Sequence, residues 1–184
     1  MRTLSGYKEQ RLQAEALYKA PENTIHATPE MWIKQVHDAL YFATILSYAQ
    51  GLAMLREAST DLKMDIPLPE VVKVWRGGCI IRSSLLEVFT QAYQKNAGLA
   101  HILLDEGVAY LVKSVEDNTR SIVAQAASAG VPVAGFMSAL SYFDAFRTGR
   151  MATNLIQAQR DYFGAHTYQR TDIPGTFHTE WQQH

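Results

Sequence analysis

The chain has 184 residues, of which 47% are hydrophobic and 19% charged, a composition that excludes a disordered or membrane-embedded polypeptide and fits one ordinary globular domain or two very small ones. Lys and Arg number 17 against 18 Asp and Glu, a net charge of −1, which argues against a nucleic-acid binder or a protein that coats anionic membranes. The single cysteine, Cys79, allows no intrachain disulfide and no cysteine-rich zinc site, and it fits a reducing, cytoplasmic setting.

Helical periodicity dominates from the start. Residues 6–19 are rich in Lys, Glu, Gln, Leu and Ala, good helix formers, and Pro21-Glu22-Asn23 breaks the run. Thr28-Pro29-Glu30 reads as a helix start, with Thr28 as N-cap, Pro29 at the first helical position and Glu30 at the positive end of the dipole. From there the chain can stay helical to about Lys63. Between Leu40 and Leu55 apolar residues cover almost every face, which predicts the buried centre of the domain. This most apolar stretch, 39–55, is interrupted by Thr44, Ser47, Gln50 and Gly51 and is shorter than the ~20 residues of a membrane span. The first residues hold no signal-peptide core.

Pro67 and Pro69 mark the next boundary, before a short helix over 70–76. Gly77-Gly78 interrupts it, and a helix is expected to resume at Ile80 and run to Lys95, closed by Asn96-Ala97-Gly98. Further helices are expected over 108–129, ending at Gly130, over 133–147, and over 152–162. The count is six to eight helices and no sheet, an all-α fold with a long buried central helix. From Gly164 onward the helical period disappears, yet the segment carries Tyr168, Ile173, Phe177 and Trp181. Such a non-helical tail needs something to dock against, its own domain or another subunit.

No nucleotide-binding glycine loop, HExxH motif or serine nucleophile elbow is present. The six histidines (His26, His37, His101, His166, His178 and His184) show no ligand spacing on one helix, so no metal site is expected. Two clusters carry chemistry. Trp75-Arg76-Gly77-Gly78-Cys79-Ile80-Ile81-Arg82-Ser83 offers paired glycine amides that can cradle an anion at a helix start, or it is a tight helix-to-helix junction, the plainer alternative. Gln157-Ala158-Gln159-Arg160-Asp161-Tyr162-Phe163-Gly164-Ala165-His166 places a guanidinium in a last helical turn and an imidazole just past a glycine stop. That pair is equipped to grip a phosphate or sugar hydroxyl; equally, Arg160 compensates the helix end and His166 is a surface residue. Arg2 by itself signals nothing.

Those two clusters, together with Phe177-His178-Thr179-Glu180-Trp181, Ile45-Leu46-Ser47-Tyr48-Ala49-Gln50-Gly51 and Arg2-Thr3-Leu4-Ser5, resemble the C-terminal signatures of decarboxylating 6-phosphogluconate dehydrogenases. The resemblance covers essentially the whole chain. It implies one C-terminal helical substrate-binding and dimerisation domain over 1–184, with 164–184 as an extended tail. The family's Rossmann domain, catalytic lysine and acid glutamate are expected to lie upstream of these residues, so no cofactor and no catalytic group is expected within them. The family reaction, a step of the pentose phosphate pathway, oxidises 6-phosphogluconate at C3 with NADP, then decarboxylates and reprotonates to ribulose 5-phosphate. Carried over by motif, the resemblance assigns substrate binding to Arg2, Arg160 and His166. Arg2 and Arg160 are implied to hold the phosphate, with Arg160 and His166 reaching the neighbouring subunit of a homodimer through tail exchange. A free-standing helical interaction module is the alternative. The C-terminal domain of a related β-hydroxyacid dehydrogenase fits less well, because such enzymes generally lack the Arg160-to-His166 grip.

Overall fold

A computed structural model describes residues 2–24 and 27–181. The side chain of Arg2, and with it the expectation that Arg2 holds phosphate, lies outside the described residues, as do His26 and His184. Among the described residues eight α-helices run in order: α1 (Arg2–Ser5), α2 (Lys8–Leu17), α3 (Pro29–Asp61), α4 (Leu68–Arg76), α5 (Leu85–Lys95), α6 (Glu106–Ser128), α7 (Ala134–Arg147) and α8 (Asn154–Gly164). A 3-10 turn at Ile102–Leu104 precedes α6. The all-α fold expected from periodicity is what forms. One correction to the expected lack of any sheet is small: Tyr168–Gln169 (β1) and Thr176–Phe177 (β2) make a two-residue antiparallel ribbon, with Tyr168 opposite Phe177. The chain divides into two compact units, Met1–Phe143 and Asp144–His184.

In the first unit α3 is the axis, 33 residues long, or about 50 Å at the α-helical rise. Its start is chemical: Thr28 Oγ1 accepts the Met31 N–H at 3.3 Å, and Pro29 sits where its missing N–H costs nothing. One side of α3 supplies Phe42, Ile45, Leu46, Ala49 and Leu52 to the core, against Val72 of α4, Leu86 and Phe89 of α5, and Val108 and Val112 of α6. Phe42 meets Phe143 edge-on, centroids 5.4 Å apart, and Tyr48 meets Phe89 likewise at 5.6 Å, geometries that aromatic quadrupoles favour. Near its N-terminal end α3 is tied by polar contacts. The buried carboxylate of Asp38 accepts from Lys34 at 2.7 Å and from Asn118 of α6 at 2.5 Å. Burial pushes its pKa up, but Lys34, Asn118 and His37 more than offset this and hold it at about 2.

Two expectations need correcting here. The apolar stretch of α3 is not enclosed on every side: Leu40 and Met54 are exposed, and a groove of about 730 Å³ opens along Leu40, Ser47 and Gly51 beside Trp75, Ile80 and Phe136. The helix expected from Ile80 begins only at Leu85. Local bonds compete with helical ones over 79–84. The Arg82 N–H turns back to the Cys79 carbonyl at 3.0 Å, Tyr48 Oη donates to the Ile81 carbonyl, and Ser83 Oγ accepts the Leu85 N–H at 3.2 Å.

The C-terminal end of α6 stops at Gly130, which needs its glycine twice. Its φ is +68°, and a Cβ there would fall 2.7 Å from Pro21 Cδ, inside any real contact distance. Asn23 Nδ2 donates to the Ser128 carbonyl at 3.0 Å, so the segment after α2 is laced to this corner.

His101 gives the first unit a pH dependence. Its Nδ1 accepts the Leu103 N–H at 3.2 Å, so the neutral ring carries its proton on Nε2, which donates to Tyr142 Oη at 2.9 Å. Burial lowers its pKa from the ordinary 6.5. A base held neutral in the folded state stabilises fully above its unfolded pKa, and that contribution fades as pH falls below about 6.5. Urea midpoints measured between pH 8 and 5 should therefore drop more steeply for the parent chain than for His101→Gln. Equal slopes would contradict the assignment.

Candidate functional site

The second unit is built on α8. Of its 11 residues only Asp161 is buried, which is unusual for a carboxylate. Its two oxygens take four donors from the tail. Oδ1 accepts the Thr167 N–H at 2.9 Å and faces His178 Nδ1 at 2.9 Å. Oδ2 accepts the Thr179 N–H and Trp181 Nε1–H, both at 3.0 Å. Burial would raise the pKa, but the Thr179 amide, His178 and Trp181 outweigh it, and the group titrates at about 2. Asp161 is thus a permanent anion around which the tail folds. Trp181 also stands edge-on to Tyr162, centroids 5.9 Å apart, and Tyr168 Oη pairs with Thr179 Oγ1 at 2.7 Å. The tail therefore docks at least on its own α8, one of the two options left open by its aromatic content.

The candidate ligands sit on the neighbouring face of the same helix. Arg160 and Gly164 are four residues apart, so they stack on one side of α8. The His166 ring folds back over Gly164: a Cβ there would lie 3.3 Å from His166 Nε2. Arg160 and His166 are accordingly brought to one side of the helix, and both are exposed. Arg160 makes no ion pair among the described residues, so its guanidinium is available to an anion. The turn that swings His166 into place uses two non-glycine residues in the left-handed region, Ala165 (φ 49°) and Thr167 (φ 58°), a conformation rare for alanine and rarer for β-branched threonine. Gln157 Nε2 donates to the Thr167 carbonyl at 2.6 Å, so both backbone polar groups of Thr167 are fixed by α8. Residue types and spacing make Arg160 and His166 candidates, evenly balanced against a helix-end charge and a surface histidine, and overlook Gln157 and Asp161. The overlooked signal is the run of donors, Thr167, His178, Thr179 and Trp181, that follows the single acid of α8.

The other cluster resolves as a junction. Gly77 closes α4, its N–H bonded to the Lys73 and Val74 carbonyls, and α5 starts seven residues after Gly78. The glycine amides therefore do not face an anion from a helix start, and Arg76 is paired with Glu87. No group of three potential metal ligands occurs among the described residues, and no helix among them is long and apolar enough to cross a membrane.

Comparison with known proteins converges on one family. The model of the 6-phosphogluconate dehydrogenase C-terminal domain matches residues 1–181. The decarboxylating 6-phosphogluconate dehydrogenase of Lactococcus lactis subsp. lactis is 42% identical over 180 residues, which cover 98% of this chain and 38% of the relative. The NADP(+)-dependent decarboxylating enzyme of Bacillus subtilis is 43% identical over 183 residues, 99% of this chain and 39% of the relative. Among solved structures, Plasmodium falciparum 6-phosphogluconate dehydrogenase, described in its apo form, with its cofactor NADP+ and with its substrate 6-phosphogluconate, matches with a TM-score of 0.85 at 36% identity over 98% of this chain and 39% of that one. The 184 residues therefore span 38% to 39% of the length of these relatives. Signature motifs, whole-chain similarity and shared fold together show that the chain belongs to the 6-phosphogluconate dehydrogenase family and corresponds to the C-terminal part of the decarboxylating enzyme.

Proposed function

We propose that this chain is the phosphate-gripping and dimer-forming segment of a longer enzyme that oxidatively decarboxylates 6-phosphogluconate to ribulose 5-phosphate with NADP in the cytoplasm. The observation that carries this reading is the exposed pairing of Arg160 with His166 on one side of α8. A guanidinium offers a dianionic phosphate a planar fork of charge-assisted hydrogen bonds, and an imidazole one turn away can reach a substrate oxygen. Arg2 is assigned a second contact to the same phosphate. NADP and the catalytic lysine belong to residues outside this segment, so binding energy from the remote phosphate serves to orient the sugar for chemistry performed elsewhere in the enzyme.

Exposed apolar side chains support association into a homodimer in which the tail of each subunit serves the other. Leu40, Met54 and Ile80 are exposed in the first unit, and Leu155, Phe163 and Trp181 in the second, apolar side chains that association would remove from water. The dimer interface is expected to exceed the ~1,000 Å² typical of a specific contact.

Two measurements on the purified 184-residue segment test this. Sedimentation equilibrium should give a dimer at micromolar concentration, and a monomer at high micromolar would overturn the association. Incubation with 6-phosphogluconate and NADP should give no NADPH, whereas the longer protein should turn over. Turnover by the segment alone would refute the division of labour.

A further inference from the structure

Asp161 is fully buried and all of its usual acceptor positions are occupied: each oxygen serves two partners. A carboxylate so saturated has no lone pair left for a substrate, so whatever it contributes must pass through the groups it holds. One of these is Thr167, the residue after His166. Gln157 holds the other backbone group of Thr167, at 2.6 Å. The turn between these two fastenings carries left-handed φ at Ala165 and Thr167, a conformation that persists only where its surroundings over-determine it. The His166 ring, lying over Gly164, is the side chain whose position that turn sets.

We propose that Asp161 and Gln157 are positioning residues: from one face of α8 they lock the Ala165–Thr167 turn, so that His166 is presented beside Arg160 for the phosphorylated substrate. The proposal rests on the assignment of Arg160 and His166 as substrate contacts and adds the device that fixes their mutual geometry. Neither positioning residue touches the substrate. Without them the chain after Gly164 relaxes out of the left-handed region, and the imidazole leaves the arginine's side of the helix.

The test uses the full-length enzyme carrying this sequence. Asp161→Asn replaces one acceptor by an NH₂ group facing donors, and Gln157→Leu removes the bond to the Thr167 carbonyl while leaving the carboxylate's four partners. Asp161→Asn is expected to raise the KM for 6-phosphogluconate about tenfold, and Gln157→Leu about threefold, each with the KM for NADP unchanged. In the Arg160→Ala background, Asp161→Asn should add less than its full factor, because both act on one constellation. If Arg160→Ala raises this KM but neither positioning variant does, or if Asp161→Asn multiplies fully with it, the positioning role falls and the substrate assignment stands. If Arg160→Ala itself leaves the KM unchanged, the substrate assignment falls. Should Asp161→Asn fail to fold, Gln157→Leu alone decides, since it leaves the tail's main fastening in place; an unaltered KM in that variant overturns the proposal.

Discussion

Arg160→Ala in the full-length enzyme is expected to raise the apparent constant for 6-phosphogluconate about ten- to a hundredfold, the loss of a charged hydrogen bond worth ~1.5–3 kcal/mol. The side chain is exposed and unpaired among the described residues, so its removal leaves no stranded partner, and thermal stability should hardly move. The KM for NADP should stay constant, because the phosphate end of the sugar is remote from the nucleotide. Arg160→Lys keeps the charge but loses the fork, and should fall between. Subunit mixing then separates a shared site from a private one. Dimers of Arg160→Ala subunits with subunits lacking the upstream catalytic lysine should regain one competent site if the site is shared, since the subunit with the intact lysine would then receive an intact tail from its partner. If the arginine serves its own subunit, each site keeps one defect and mixing restores nothing.

Phe42→Ala is expected to cost about 3–5 kcal/mol of folding stability, the range for an aromatic deleted from a core that cannot collapse around the gap. Phe42 is fully buried at the middle of α3 and packs edge-on against Phe143. Because α3 is the axis against which α6 packs, the cavity would open at the centre of the first unit. Against a total of about 5–15 kcal/mol for a domain, this shift should be plain in urea denaturation; a loss under about 1 kcal/mol would contradict the packing. Glu57→Ala, on the same helix but exposed, should change stability by less than about 0.5 kcal/mol.

Thr28 and Pro29 mark the start of α3 to the residue, and Gly130 stands just past the end of α6, whereas α6 begins at Glu106, two residues before the expected start, because the Asp105 side chain caps it by accepting the Val108 N–H. The reading failed where tertiary bonds override propensity. Residues 80–84 contain no proline or glycine to break a helix, but Tyr48 of α3 captures the Ile81 carbonyl, a partner 33 positions away that no local window contains. The exposed side of α3 was missed for a related reason: an apolar helix announces burial without saying whether its own chain supplies all the cover. At the candidate site, Arg160 and His166 are singled out through the family resemblance, residue spacing leaving them even with a helix-end charge and a surface histidine. Asp161 was not legible, because an acid beside an arginine on an amphipathic helix looks like one more solvated charge, and only the folded-back tail reveals it as a hub.

The convergence of Thr167, His178, Thr179 and Trp181 on one carboxylate also shapes how the protein breathes. If any one of these donors leaves, it exposes a buried anion that the remaining three serve less well, so the others are drawn to follow. Residues 165–181 should open together, as one cooperative unit less stable than the packed helices of α3 and α6. Hydrogen exchange would show this as a common opening free energy for the Thr167 and Thr179 amides, lower than that of amides in the middle of α3. A segment of this kind can release in one step while the packed helices of α3 and α6 stay closed.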